Sequence, residues 1–131
     1  MSTTLLVRDE STGGQTTNEL SLEFLTERID VRELIRSRVY QEVQDYNRSA
    51  GGVFRGLVQP TDAEQVLNGF RLRKPRQIDW KKQFEQAVEA FEAGRVLVLV
   101  DQKQVSSLDE EIVLGPGTDV AFLRLVPLVG G

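Results

Sequence analysis

Residues Val96-Leu97-Val98-Leu99-Val100 form an unbroken apolar run, closed on one side by Arg95 after Gly94 and on the other by Asp101-Gln102-Lys103-Gln104. A short run of this kind, rich in β-branched residues, is expected of a central strand buried on both faces. Such a strand needs partners on either side and layers above and below it, so the rest of the chain must supply both. Thr4 to Glu10 reads as a short strand, with Leu5 and Val7 alternating against Arg8. Glu19 to Leu25 reads as a second, with Leu20, Leu22 and Phe24 alternating against Glu19, Ser21 and Glu23. Ser11-Thr12-Gly13-Gly14 supplies the turn that makes these two a hairpin. Gly115-Pro116-Gly117 forms a last turn before a final strand from Asp119 to Val126, and Ile112 to Leu114 is a brief extended piece.

The covering layer comes from helices. Asp30 is an N-cap candidate with Glu33 three residues on, completing a capping box. Val31, Leu34, Ile35, Val39, Val43 and Tyr46 follow at spacings of three and four, one apolar stripe that ends near Asn47 to Ala50. Asp79 caps a second helix through about Ala93, with Trp80, Phe84, Ala87, Val88 and Phe91 on one face and Gly94 as its stop. Between them, Pro60, the Thr61/Glu64 capping box and Gly69 predict a short helix over Thr61 to Asn68. Phe54, Leu57, Val58, Phe70 and Leu72 around it make residues 51–78 too apolar for a linker, and we expect an ordered insertion.

Composition excludes several classes of chemistry. At 131 residues the chain suits one domain, 1–131. It contains no cysteine, which removes disulfides and a thiolate nucleophile, and no histidine, which removes the commonest metal ligand and general base. Most enzyme classes are therefore disfavoured, and we expect no metal site. The net charge of −4 argues against a nucleic-acid partner, and the absence of a long apolar stretch or a leader-like start argues for a cytoplasmic protein with no membrane partner. Arg71, Arg73, Lys74 and Arg76 form a basic cluster, and Asp109-Glu110-Glu111 an acidic one. Both read as solvated loops. Trp80 reads as core from its helical spacing.

The final strand runs into Pro127-Leu128-Val129-Gly130-Gly131. These glycines are either a flexible stub or a carboxylate presented for chemistry, since two residues without Cβ pass a narrow tunnel and tolerate close backbone approach. Pro127 cannot donate to a sheet and so marks where the strand leaves the fold. Leu128 and Val129 gain nothing in a mobile tail, 127–131, unless a partner buries them. Strand alternation adds a second candidate surface: with Val120 and Phe122 toward the core, Ala121, Leu123 and Leu125 face the other way. That face is either an exposed partner site or is covered by part of the insertion.

From Val96 onward the sequence resembles the ubiquitin-like sulfur carriers of molybdopterin and thiamine synthesis, including the small subunit of molybdopterin synthase. The counterparts are the Val96–Asp101 strand and turn, the acidic Leu108-Asp109-Glu110-Glu111 loop, Gly117-Thr118-Asp119-Val120-Ala121-Phe122, and the Gly130-Gly131 end. The resemblance covers residues 95–131 by motif and residues 3–47 by element order. The chain is longer than those carriers between its first helix and Val96, and in that it looks more like the insertion-bearing ubiquitin-like proteins of bacteria.

The resemblance implies an α+β fold, the ubiquitin-like β-grasp, with a helical insertion between the first helix and the later strands. It implies that the chain is no enzyme and carries no catalytic side chain, and that the Gly131 carboxylate is the reactive group, adenylated by an E1-like activating enzyme that uses ATP and Mg²⁺, with no cofactor bound by the chain itself. Capture by an enzyme cysteine and an E2-like conjugating enzyme would make the protein a modifier of a target protein, reversible by a JAB-type metallopeptidase. Capture by sulfide would make it a sulfur carrier through a C-terminal thiocarboxylate. A noncovalent interaction or assembly subunit is the third possibility.

Overall fold

The structure, a computed structural model, describes residues 2–49, 52–67, 69–74 and 76–125. In chain order it contains β1 (Thr3–Glu10), β2 (Thr16–Phe24), β3 (Arg28–Asp30), α1 (Val31–Ser49), β4 (Ala63–Val66), β5 (Gly69–Leu72), α2 (Trp80–Glu92), β6 (Val96–Val100), β7 (Lys103–Gln104), β8 (Glu111–Val113) and β9 (Val120–Arg124). Five strands form a mixed sheet in the order β2-β1-β9-β6-β7. β1 and β2 pair antiparallel, β9 enters between β1 and β6, and its pairing with β1 is the sheet's one parallel ladder among the described residues. The fold is α+β.

The helices begin where the capping chemistry places them. The Glu33 N–H donates to Asp30 Oδ1 at 2.7 Å, and the Lys81 N–H donates to Asp79 Oδ1 at 3.0 Å. Each bond satisfies a donor that a helix start otherwise leaves open. α2 ends at Ala93, and Gly94 takes φ +77°, a conformation that glycine adopts without a Cβ penalty. Val31, Leu34, Ile35, Val39 and Val43 of α1 pack on Leu5 and Val7 of β1, Leu22 and Phe24 of β2, Val98 of β6, and Val120 and Phe122 of β9 in one core. α2 lies beside α1 and against β6. Its most buried residues are Gln83, Ala87, Ala90 and Phe91, while Trp80, Phe84 and Val88 are half-buried at the rim. Trp80 meets the Tyr40 ring edge-on at 5.4 Å.

Two expectations are corrected. The described residues of the insertion form no helix: β4 (Ala63–Val66) and β5 (Gly69–Leu72) pair antiparallel, with Ala63 opposite Leu72 and Val66 opposite Gly69. Asp62, inside the expected helix start, sits at φ +56°, and Phe54 bridges Phe70 through two backbone bonds of 2.8 and 2.9 Å. The tertiary pull of Phe54 and Phe70, both buried, overrides a local capping signal. Gly69 is there for contact: a Cβ on it would lie 2.4 Å from Val53 Cγ1 and 2.8 Å from the Phe54 carbonyl oxygen.

The run Val96–Val100 is also not buried on both faces. β6 is internal to the sheet, between β9 and the two-residue β7, with Val96 and Val98 buried in the core. Leu97, Leu99 and Val100 are only half-buried. Both helices feed the same core, so among the described residues the opposite sheet face carries no helix. No described helix is long and apolar enough to cross a membrane.

Candidate functional site

The sequence places its candidate site at the end of β9, and the sheet shows how that end is held. β9 pairs with β1 from Val7/Val120 to Glu10/Leu123 and with β6 from Val100/Val120 to Val96/Arg124. The ladder closes with the Leu125 N–H donating to the Arg95 carbonyl at 2.9 Å. The strand is thus paired on both sides up to its last residues. Val126, Pro127, Leu128, Val129, Gly130 and Gly131, which carry the expected reactive end and its recognition residues, lie outside the described residues.

β9 is tied at both ends by arginines. At its start Arg8 grips Asp119 with both terminal nitrogens, the Nη2 to Oδ2 contact being 3.0 Å, and reaches Glu10 with Nε at 3.1 Å. The Arg8 hydrogen bond holds the Asp119 carboxyl below the usual carboxylate range. At its far end Arg124 points inward, donates to the Gly56 carbonyl at 3.3 Å and lies over the Phe70 ring at 5.5 Å. Burial lowers the Arg124 pKa, nearby Arg38 pushes the same way, and Asp9 and Glu42 oppose it. The insertion is therefore pinned to the final strand.

Between these ends lies a buried charge network that sequence reasoning missed. Arg38 is 0% exposed. It clamps Asp9 of β1 with both terminal nitrogens, with Nη2 to Oδ2 at 2.7 Å, and its Nε donates to Glu42 Oε2 at 3.0 Å. Its guanidinium lies 4.6 Å from the Phe122 ring centroid. Glu42 Oε1 in turn accepts the Leu57 N–H of the insertion at 3.3 Å. Burial pushes the Glu42 carboxyl up to about 7, against the pull of Arg38. A usable signal existed: Arg38 and Glu42 are four residues apart and share the buried stripe with Ile35, Val39, Val43 and Tyr46.

Of the three residues expected on the helix-free face, Ala121 and Leu123 lie within β9 and Leu125 directly after it, and they are not equally open. Ala121 is 1% exposed, because its methyl group lies between the longer cross-strand neighbours Arg8 and Leu99. Leu123 is half-buried opposite Leu97, and Leu125 is 38% exposed. Leu125 borders the cleft between the insertion and α2, whereas the apolar surface actually offered is Leu97, Leu99 and Leu123, with Ala121 as its floor. The insertion does not cover it: Gly56, Leu57 and Phe70 meet β9 and α1 on the core side.

The remaining clusters are surface features. Arg71, Arg73, Lys74 and Arg76 are exposed. In the acidic loop, Asp109 pairs with Arg32 at 3.0 Å and Glu111 with Arg28 at 2.7 Å, so it fastens β8 to β3 and the start of α1. A cleft of about 450 Å³ opens beside the β9 exit, walled by Leu57, Val58 and Phe70 of the insertion, Ala90 of α2, Arg95 and Leu125.

The class that fold and site define is an α+β protein whose last described strand is central and ends next to an insertion. No protein-family model matches the chain, and no curated protein or solved structure aligns with it significantly.

Proposed function

We propose that the chain is a ubiquitin-like β-grasp protein whose Gly131 carboxylate is adenylated by an E1-like enzyme with ATP and Mg²⁺ and then joined to a target protein. One observation carries the reading: the order β2-β1-β9-β6-β7, with β9 parallel to β1 at the centre and α1 across them, is the arrangement expected of that fold. It supports a C-terminal reactive group because a strand locked on both sides delivers the following residues from a fixed point at Leu125. From there, six extended residues reach about 20 Å, enough to carry a carboxylate clear of the globular body. The chemistry is the activating enzyme's: the carboxylate attacks the α-phosphate and pyrophosphate leaves, a cysteine thiolate then attacks the acyl carbonyl and AMP leaves, and the acyl group passes as a thioester to an E2-like enzyme and on to an amine or hydroxyl, which releases the thiol. Sulfide in place of the cysteine would give the sulfur-carrier product, a Gly131 thiocarboxylate, and a JAB-type metallopeptidase would undo a conjugate.

Incubation with the activating enzyme encoded nearest the gene, ATP and Mg²⁺ should yield a Gly131 adenylate or thioester by intact mass, absent when Gly131 is deleted. An unmodified chain beside an enzyme active on another substrate would contradict the proposal. The half-buried apolar surface at Leu97, Leu99 and Leu123, on a sheet face that no described helix covers, favours a second reading, a noncovalent interaction subunit. In that case residues appended after Gly131 leave function unchanged.

A further inference from the structure

The alternation of β9 carries one step past Phe122. Val120 and Phe122 face the core, so Arg124, two residues on, is sent to the same side of the sheet. A cation placed there is normally matched by a carboxylate. Arg38 has Asp9 and Glu42, and Arg8 has Asp119 and Glu10. Arg124 has no such partner: among the described residues it forms no ion pair, and its one hydrogen bond is the 3.3 Å donation to the Gly56 carbonyl. A guanidinium carries five N–H donors, so most of them are left open on a half-buried side chain. Asp9 and Glu42 attract it from a distance, but both are already held by Arg38.

Arg124 also lines the cleft of about 450 Å³ between the insertion, α2 and the end of β9. That volume falls in the range of small-molecule sites, about 300–1,000 Å³. The Phe70 ring, its centroid 5.5 Å from the guanidinium carbon, supports the cation from one side. Leu57, Val58 and Ala90 give the same cleft an aliphatic wall. Its other charged residues, Arg95 and Glu89, are both exposed and oppose one another, so the lining keeps a net positive charge.

We propose that this cleft binds a small aliphatic carboxylate, with the carboxylate on Arg124 and the hydrocarbon part against Leu57, Val58 and Ala90. The planar guanidinium and a carboxylate match as a bidentate pair, which a neutral molecule cannot reproduce. Bare phosphate would match the guanidinium too, but it leaves the aliphatic wall unused. The bound molecule touches the insertion, α2 and β9 together. Nothing in this site depends on the chemistry proposed for Gly131.

Sodium hexanoate titrated into the isotope-labelled full-length chain tests the proposal, with hexanol and sulfate as comparisons. We expect saturable shifts of the Leu57, Phe70, Ala90 and Arg124 amides. Hexanol should bind at least about tenfold more weakly, the scale of one charge-assisted hydrogen bond, and sulfate at equal concentration should not displace hexanoate. Arg124→Gln should weaken hexanoate by a similar factor and leave hexanol unchanged. Because Arg124 also fastens the insertion, a second variant sits at an exposed position: Gln65 lies opposite Phe70, so Gln65→Glu places a rival carboxylate beside the cation and should weaken hexanoate without unfolding the chain. Shifts that do not saturate or that centre elsewhere, hexanol bound as well as hexanoate, displacement by sulfate, or an unaltered affinity in either variant overturns the site.

Discussion

Arg38 of α1 clamps Asp9 of β1 with both terminal nitrogens, the arginine side chain fully buried and the aspartate side chain 7% exposed. The same guanidinium holds Glu42 and covers Phe122, so one side chain joins helix, first strand and last strand.

Removing it strands two buried carboxylates. Breaking a buried pair from one side costs about 3–5 kcal/mol, and at this chain length each kcal/mol moves Tm by roughly 4 °C. Arg38→Met should therefore lower Tm by more than about 10 °C in a calorimetric scan. The Asp9→Asn, Arg38→Met, Glu42→Gln triple variant, which leaves no unpaired charge, should recover much of that loss.

Glu42 makes stability depend on pH. Its folded pKa, about 7, lies above the ordinary glutamate value of about 4.3, so between them the folded state binds more protons than the unfolded one. Stability is then fully present below the lower value and falls as pH rises through the upper one. Urea midpoints should drop between pH 5 and pH 8, and Glu42→Gln should flatten that slope. Asp119 acts oppositely: its carboxyl is held low by Arg8, so its contribution is present at neutral pH and lost as pH falls into the acid range. Arg8→Gln should blunt only that acid limb.

Gly69 tests the hairpin that replaced an expected helix. A methyl group there meets the Val53 side chain and the Phe54 backbone at distances no real Cβ tolerates, and overpacking of this kind costs typically about 1–3 kcal/mol. Gly69→Ala should lower the urea midpoint and speed hydrogen exchange at the Phe54 and Phe70 amides. Were residues 61–68 helical, it would leave both unchanged or improved.

What the sequence made legible followed local rules. Asp30, Asp79 and Gly94 announced the helix ends because capping is settled by a few adjacent residues, and Leu20, Leu22 and Phe24 announced β2 by period-two alternation. Thr61 and Glu64 misled because a capping box says nothing of Phe54 arriving from outside the segment. The run Val96–Val100 overstated burial, since hydrophobicity alone does not reveal which sheet face a helix covers. Arg38 and Glu42 were hidden by being charged: only pairing makes such residues buriable, and Asp9, the third member, is 29 residues away from Arg38. The candidate site was legible only to Leu125; Val126 to Gly131 lie outside the described residues.

The helix-free face gives a further prediction. Leu123 is half-buried and lies opposite Leu97 in a surface that no described helix covers. Leu123→Lys should leave Tm within about 4 °C, because lost packing at a partly exposed site is worth about 1 kcal/mol. The same change should weaken capture by the activating enzyme at least tenfold in a pull-down titration. Unaltered capture would remove this face from the recognition surface.

The most direct test of the account is intact mass spectrometry of the full chain with ATP, Mg²⁺ and the neighbouring activating enzyme. The account predicts an adenylate or cysteine-linked thioester at Gly131 that disappears on Gly131 deletion. An unmodified chain, with the enzyme shown active elsewhere, would contradict it and leave the uncovered sheet face as the basis of function.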